Sequence, residues 1–257
     1  MKKYLKKELI VDIILPNYNG ASSIKRSINS VISQSFKNWK LFIIDDGSKD
    51  NSKKIINKFK NININKIYLN RNRGVSYCRN LGIKKSKSKY IAFIDSDDYW
   101  TKNKLREQIK FMEKFYYKFT YSDYTPFKVV NKKKIIKKKI NSPVSFTYNK
   151  FINNTTIAMS TVVIHRSILG KIKFKNFTIC EDYLFKCELL KKNKIANKIN
   201  KNTMFYQISK NSKQSNKLKK IYWIWYINKK YNKLSSYKNL KSVICIIFNS
   251  IKKYGFK

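Results

Sequence analysis

The sequence predicts an α/β fold, a mostly parallel sheet flanked by helices. Two observations carry that expectation. Short apolar runs rich in Ile, Val, Leu and Phe recur through the first half of the chain, each stopped by turn-forming residues. Between them lie segments whose apolar residues recur at helical spacing. Strands alternating with helices imply parallel strands joined by crossovers. The chain has 257 residues, 42% hydrophobic and 15% aromatic. That is enough to fill the core of one domain, alone or with an appendage.

The elements follow in order. "LIVDIIL" (9–15) is a β-rich run that stops at Pro16. "ASSIKRSINSVISQSF" spaces Ile24, Ile28, Val31 and Ile32 as one face of a helix. "KLFII" (40–44) is a buried strand ended by "DDGS". "DNSKKIINKF" opens with the N-cap candidates Asp50, Asn51 and Ser52 and continues as a helix. "NKIYLN" is a third strand, "GVSYCRNLGIKKS" a third helix entered at Gly74, and "KYIAFID" a fourth strand. "NKLREQIKFMEKFYYK" is a long helix. The alternation then breaks. "FKVVNKKKIIKKKI" reads as a hairpin, "MSTVVIHRSIL" as a strand followed by a short helix, and "CEDYLFKCELLKK" as a helix with acids in its first turn. Two basic, aromatic helical stretches follow, "LKKIYWIWYINKKY" and "LKSVICIIFNSIKKYGF". The expected organisation is a domain over residues 1–215 and a helical tail over 216–257.

In parallel sheets, ligands bind beyond the carboxyl ends of the strands. Strand one ends in "PNYN", strand two in "DDGS" and strand four in "DSDD". Asp45, Asp46, Asp95, Asp97 and Asp98 are therefore expected to converge on one crevice. Clustered carboxylates repel unless a cation or hydrogen bonds compensate them. Residues i and i+2 point to the same side of an extended strand end, so Asp95 and Asp97 can face one ion. Hard oxygen ligands suit Mg²⁺ or Mn²⁺, which bridge carboxylates to phosphates. A solvated turn with chance acids is the alternative.

Those acids are scarce. Lys and Arg number 58 against 14 Asp and Glu, a formal net charge of +44. A polyanion partner, nucleic acid or an anionic membrane face, is one account. Compositional drift is the other: Lys, Asn and Ile are abundant together, and their codons are rich in A and T. Drift is the simpler source of most of the charge, with a modest membrane contribution on top. No helix-turn-helix, RRM or zinc module supports nucleic acid. Cys78, Cys180, Cys187 and Cys245 form no C-x-x-C pair and fit no zinc spacing. Reduced thiols and a cytoplasmic location are expected. The N-terminal apolar run is too short for a signal peptide and is interrupted by Asp12. No window approaches the roughly 18 apolar residues of a membrane span.

Taken in order, Pro16-Asn17-Tyr18-Asn19, Asp45-Asp46-Gly47-Ser48, the N-x-G-x-S-x-x-R-N pattern from Asn72 to Asn80, and Asp95-Ser96-Asp97-Asp98 resemble the family 2 glycosyltransferases. "CEDYLF" resembles that family's E-D motif at the start of a helix. The resemblance runs from about residue 9 to 212. It implies a GT-A fold, with a nucleotide-binding half (about 9–123) and an acceptor half (about 124–215). It implies an inverting, metal-dependent transfer from a nucleotide sugar, with UDP the default base, to a glycan or lipid-linked acceptor. Pro16, Tyr18, Asn19, Asp46, Arg79 and Asp95 fall at nucleotide-binding positions. Tyr18 would stack on the base, Asp46 would accept a hydrogen bond from it, and Arg79 would lie near the base or phosphates. Asp97 would hold Mn²⁺ or Mg²⁺ on the diphosphate with Asp95 assisting, and Asp182 would be the general base. Glu181 and His165 are candidates for acceptor contact or support.

One position departs from the family. Relatives often carry Arg or His before a Ser-rich loop that closes over the diphosphate, and here Gln207 stands there, with Lys210 or Lys213 as substitutes. An inactive nucleotide-binding relative, or a basic polyanion-binding protein, are the competing readings. The tail reads either as helices completing the core or as an amphipathic surface for an anionic membrane, with Trp223, Trp225 and Tyr226 at the interface.

Overall fold

The computed structural model describes residues 10–131, 133–208 and 217–254. The expected alternation is present. β1 (Val11–Asn17) is followed by α1 (Ile24–Ile32), β2 (Trp39–Asp45), α2 (Ser52–Asn57), β3 (Ile64–Tyr68), α3 (Val75–Lys85) and β4 (Tyr90–Phe93). β1 pairs in parallel with β2 and β4, and β2 with β3. Every residue of β1 and β4 is buried, as helices on both faces require. Asp12 inside β1 is buried too. Its carboxylate accepts from Ser86 Oγ and from the N–H groups of Lys87 and Ser88, so it braces the turn between α3 and β4.

The second half adds to the same sheet. β5 (Tyr99–Trp100), α4 (Lys104–Phe115), β6 (Phe119–Val130), β7 (Lys133–Ile136), β8 (Ser145–Thr147), α5 (Tyr148–Phe151), β9 (Val163–His165), α6 (Glu181–Asn193) and β10 (Ile195–Gln207) follow. The strand order is β3-β2-β1-β4-β9-β6-β10-β5, with β7 on β6 and β8 on β10. β9 runs antiparallel to both β4 and β6, and stitches the two halves together. The hairpin is β6 with β7, turning through Asn131 at φ 48°. β10, 13 residues long, pairs in parallel with β6 and was not expected from the sequence.

Side chains of β1 alternate between two cores. Ile14 joins Phe42, Phe93, Phe119 and Phe185 on one face, while Ile13 joins Ile24, Ile28, Leu105 and Ile109 on the other. α3 lies so close to β1 that a Cβ on Gly82 would come within 2.6 Å of Ile14 Cγ2. A larger residue there forces helix and strand apart.

The two C-terminal helices are α7 (Lys217–Lys230) and α8 (Ser236–Tyr254). Ile224, Ile227, Val243 and Ile246 are buried in the core that holds Ile14. Tyr183 Oη on α6 donates to Asn228 Oδ1 on α7. Trp223 and Tyr226 pack against the same core, whereas Trp225 is 38% exposed. The outward face of α8 presents Tyr237, Leu240, Ile244 and Phe248 to solvent. Among the described residues, no helix is long and apolar enough to cross a membrane.

Candidate active site

The carboxyl ends of β1, β2 and β4 open into a cleft of about 1280 Å³, with α6 and α7 on its far wall. That exceeds the roughly 300–1,000 Å³ of a single small-ligand pocket. Pro16, Tyr18, Asn19, Asp46, Arg79, Asp95, Asp97, Glu181 and Asp182 all line it. The sheet thus brings together every site residue expected from the sequence except His165. That residue pairs with Tyr90 at the opposite end of β4, packs edge-on against its ring, and hydrogen-bonds Ser167 through Nδ1.

The end of β1 is fixed from below. Asn17 Nδ2 donates to Asp45 Oδ2 at 2.7 Å, and Asp45 also accepts from the N–H and hydroxyl of Ser48. Asp45 is therefore a brace and does not line the cleft, contrary to the expected convergence of all five acids. Asn19 takes a left-handed conformation (φ 49°), its Oδ1 accepting from Lys49 N. Tyr18 between them stands on the rim, 46% exposed, its ring free to stack. Asp46 is buried and accepts from Arg73 N at 2.7 Å and Gly74 N at 2.8 Å, which ties β2 to the start of α3. The Cys78 thiol also hydrogen-bonds this carboxylate, which leaves it one lone pair for a ligand.

Arg79 lies in the floor, one turn into α3. Its Nη2 donates to Asp95 Oδ1 at 2.7 Å and its Nη1 to Glu181 Oε1 at 2.8 Å. Burial alone would lower its pKa, but Asp95 and Glu181 outweigh it and raise it above the ordinary value. The arginine links the β4 acids to α6.

Residues 95–98 form a turn rather than an extended strand end, with Asp98 N donating to Asp95 O. The turn separates the acids. Asp98 is buried, accepting from Ser160 Oγ and Gln207 N. Asp95 and Asp97 face the cleft. Burial, reinforced by Asp95, pushes Asp97 up to about 6. Apart from its own backbone N–H, the Asp97 carboxylate has no hydrogen-bond or ion-pair partner among the described residues. An unpaired acid beside a second acid is a place for a cation. No three His, Cys, Asp or Glu side chains gather to hold a metal among the described residues. One or two carboxylates completed by phosphate and water is the usual Mg²⁺ or Mn²⁺ arrangement, and the donor set fits that.

Gln207 is built into the same turn. Its Oε1 accepts from Arg26 Nη2, which also donates to Asp97 O. The side chain therefore stabilises the acidic turn and does not present a charge to the cleft. Lys210 and Lys213 lie outside the described residues.

On the far wall, Cys180 sits in a left-handed conformation (φ 64°) and aims the next two residues inward. Such backbone costs of order 1–3 kcal/mol and clusters at functional sites. Asp182 Oδ2 accepts from Lys186 Nζ at 2.7 Å, one turn on, and the same ammonium donates to Ile157 O. Burial would raise the Asp182 pKa, but Lys186 outweighs it, with Arg79 and Lys220 adding, and the net shift is downward. Asp182 is thus a partly buried carboxylate kept ionised. Sequence reading missed Lys186 and Lys220, the second cation on that wall. The i, i+4 spacing from Asp182 was a usable signal for Lys186. Lys220 had none, being brought in by the docking of α7.

A family model described as "Glycosyl transferase family 2" matches residues 12–173. A Bacillus subtilis (strain 168) protein named as a teichuronic acid biosynthesis glycosyltransferase, TuaG, is 31% identical over 246 residues, spanning 95% of this chain and 97% of that one. An Escherichia coli protein named UDP-Glc:alpha-D-GlcNAc-diphosphoundecaprenol beta-1,3-glucosyltransferase, WfgD, is 36% identical over 220 residues, 85% of each chain. Among solved structures, S. aureus TarS 1-349 in complex with UDP-GlcNAc superposes with a TM-score of 0.73 at 19% identity, covering 95% of this chain and 73% of that one. The mannosyltransferase PcManGT from Pyrobaculum calidifontis, in complex with GDP-Man and Mn²⁺, gives 0.69 at 10% identity, covering 98% and 77%. Both structures share the fold.

Proposed function

The chain belongs to glycosyl transferase family 2, and from that premise we propose that it moves a sugar from a UDP-sugar to a hydroxyl of a lipid-linked glycan, with inversion, in the synthesis of a surface polysaccharide. One observation carries the reading: the unpaired carboxylate of Asp97 and the lysine-held carboxylate of Asp182 stand on different walls of one cleft. One can serve the leaving group while the other serves the nucleophile.

The roles follow from that separation. Tyr18 stacks on the base, and Asp46 accepts a hydrogen bond from it with its remaining lone pair. Asp97, with Asp95, would hold Mn²⁺ or Mg²⁺, and that ion would supply positive charge to neutralise the departing diphosphate. The acceptor hydroxyl attacks the anomeric carbon from the Asp182 side and gives its proton to that carboxylate. The new C–O bond forms as the bond to the diphosphate breaks, and the electron pair leaves with the nucleotide. A single displacement of this kind inverts the anomeric centre, through an oxocarbenium-like state.

Two relatives are named for an α-D-GlcNAc-diphosphoundecaprenol acceptor. N-acetylglucosaminyl diphosphoryl lipid is therefore the first acceptor to try. A lipid acceptor places the enzyme at the cytoplasmic face of a membrane. The apolar outward face of α8, Tyr237, Leu240, Ile244 and Phe248, bordered by Lys238, Lys241 and Lys252, supports peripheral contact with anionic lipid.

The first test is thermal unfolding with UDP, dTDP, GDP or CDP, each with and without Mn²⁺, and heparin as a polyanion control. A ligand at about 100 times its Kd adds roughly 2.7 kcal/mol. UDP should stabilise the protein only with Mn²⁺, and Asp97→Asn should lose that effect. Stabilisation by heparin and by no nucleotide overturns the proposal.

A further inference from the structure

We propose that Lys220, in the first turn of α7, binds the diphosphate of a glycosyl-diphosphoryl acceptor and sets its sugar against Asp182. The inference rests on the function proposed above and assigns a residue, and a ligand chemistry, to the acceptor side of the cleft.

Position comes first. Lys220 and Ile224 are the residues of α7 that line the cleft, on the wall that carries Asp182 and Lys186. The side chain is uncommitted. Among the described residues, Lys220 makes no hydrogen bond and no ion pair within 4.0 Å. Its neighbour Lys186 is by contrast engaged by both Asp182 and Ile157 O.

Electrostatics place it on the acceptor side. Asp182 and Cys180 both feel the Lys220 charge, after larger influences of burial and of nearer groups. The charges that shape Asp97 are instead Asp95, Arg26 and Arg79. Lys253 of α8, holding Asn154 Oδ1, is pushed down to about 7 by burial first and by Lys220 and Lys186 next. Two ammonium groups from two helices, Lys186 and Lys220, therefore share the wall with Asp182, and a third, Lys253, lies within their influence. Cations gathered with so little anionic compensation are the environment a phosphoryl group completes.

The ligand class follows from the helix that packs on α7. α8, which packs against α7, turns an apolar stripe outward. A lipid diphosphate has the matching order of parts: a sugar for the base, a diphosphate for the ammonium, and a chain for the apolar face. The nucleotide diphosphate is the other source of the same chemistry, and it lies by Asp97.

The test compares wild type, Lys220→Ala and Lys220→Arg. Calorimetry measures binding of hexyl diphosphate and, separately, of UDP with Mn²⁺. Transfer is measured to N-acetylglucosamine carried on a diphosphoryl hexyl ester or on an uncharged hexyl glycoside. Lys220→Ala should weaken hexyl diphosphate roughly 10- to 100-fold, the size of one charge-assisted hydrogen bond. It should raise KM for the diphosphoryl acceptor by a similar factor. UDP affinity and the KM for the uncharged acceptor should be unchanged, any change in its kcat through Asp182 should be shared by both acceptors, and Lys220→Arg should recover most of the loss. Equal binding of hexyl diphosphate by wild type and Lys220→Ala overturns the inference. So does a loss confined to UDP, which would assign Lys220 to the donor. Wild type that binds hexyl diphosphate through Lys220 but transfers no sugar would overturn the function and leave the anion site standing.

Discussion

Asp182 is a partly buried acid held ionised chiefly by the buried Lys186. Asp182→Asn should keep donor binding and lose transfer by about 10²–10⁴-fold, the usual contribution of a general base. Lys186→Met nearly preserves volume and removes the ammonium. Burial then acts on Asp182 against Arg79 and Lys220 alone and its pKa rises, so the acid limb of the pH–rate profile should move to higher pH while the plateau rate stays within about tenfold. An unmoved limb would separate Lys186 from the base. Lys104 offers a second test. It is fully buried, with Gln108 Oε1 as acceptor and the Trp100 ring 4.3 Å away, and burial pushes it down to about 7 from 10.5. Between those values the unfolded chain holds the proton more tightly. The penalty is therefore full below pH 7 and fades as pH rises toward 10.5. Lys104→Met should unfold at higher temperature than wild type at pH 7, by several kcal/mol in order of magnitude, and the gap should narrow by pH 9.5. The main acids of the cleft were legible as motifs because strand ends and helix starts fix them locally. The partners of Arg79, the bracing role of Asp45 and the remoteness of His165 depend on register between distant strands, which no local pattern carries.

The helices and strands of the nucleotide half were legible because each carries its own period and its own stop. α3 is the exception in packing, since its contact with β1 is made through Gly82. Gly82→Ala should destabilise the fold by about 1–3 kcal/mol, the usual effect of overpacking, with ligand sites untouched. Denaturant unfolding checks it, and an unchanged midpoint would mean that α3 shifts freely. β10 was missed for a physical reason. Its sequence, "IANKINKNTMFYQ", buries only Ala196, Ile199, Thr203 and Met204 and shifts register twice against β6. Neither strict alternation nor a continuous apolar run survives that. α7 and α8 were legible as helices, but their double-faced pattern hid which side is core. Ile224 and Ile227 are buried while Leu218 and Tyr222 are exposed.

The molecule as a whole carries +44, and like charges at that density repel one another. Added NaCl screens them within a Debye length of about 10 Å at 0.1 M. The unfolding temperature should therefore rise between 10 and 150 mM NaCl without any specific ligand; a fall would mean that local ion pairs, not self-repulsion, dominate. Composition alone made this legible. It did not reveal that both halves share one continuous sheet.

Arg79 has a consequence for how the protein is made. Its partners are Asp95 and Glu181, the second lying 102 residues beyond Arg79 itself. A buried charge that loses one partner is destabilised by about 3–5 kcal/mol. A nascent chain stopped after residue 123 would hold that arginine half-paired and leave β4 without β9 along its edge. The nucleotide half should thus not mature on the ribosome ahead of the rest. Protease resistance in arrested chains should appear only once α6 has emerged.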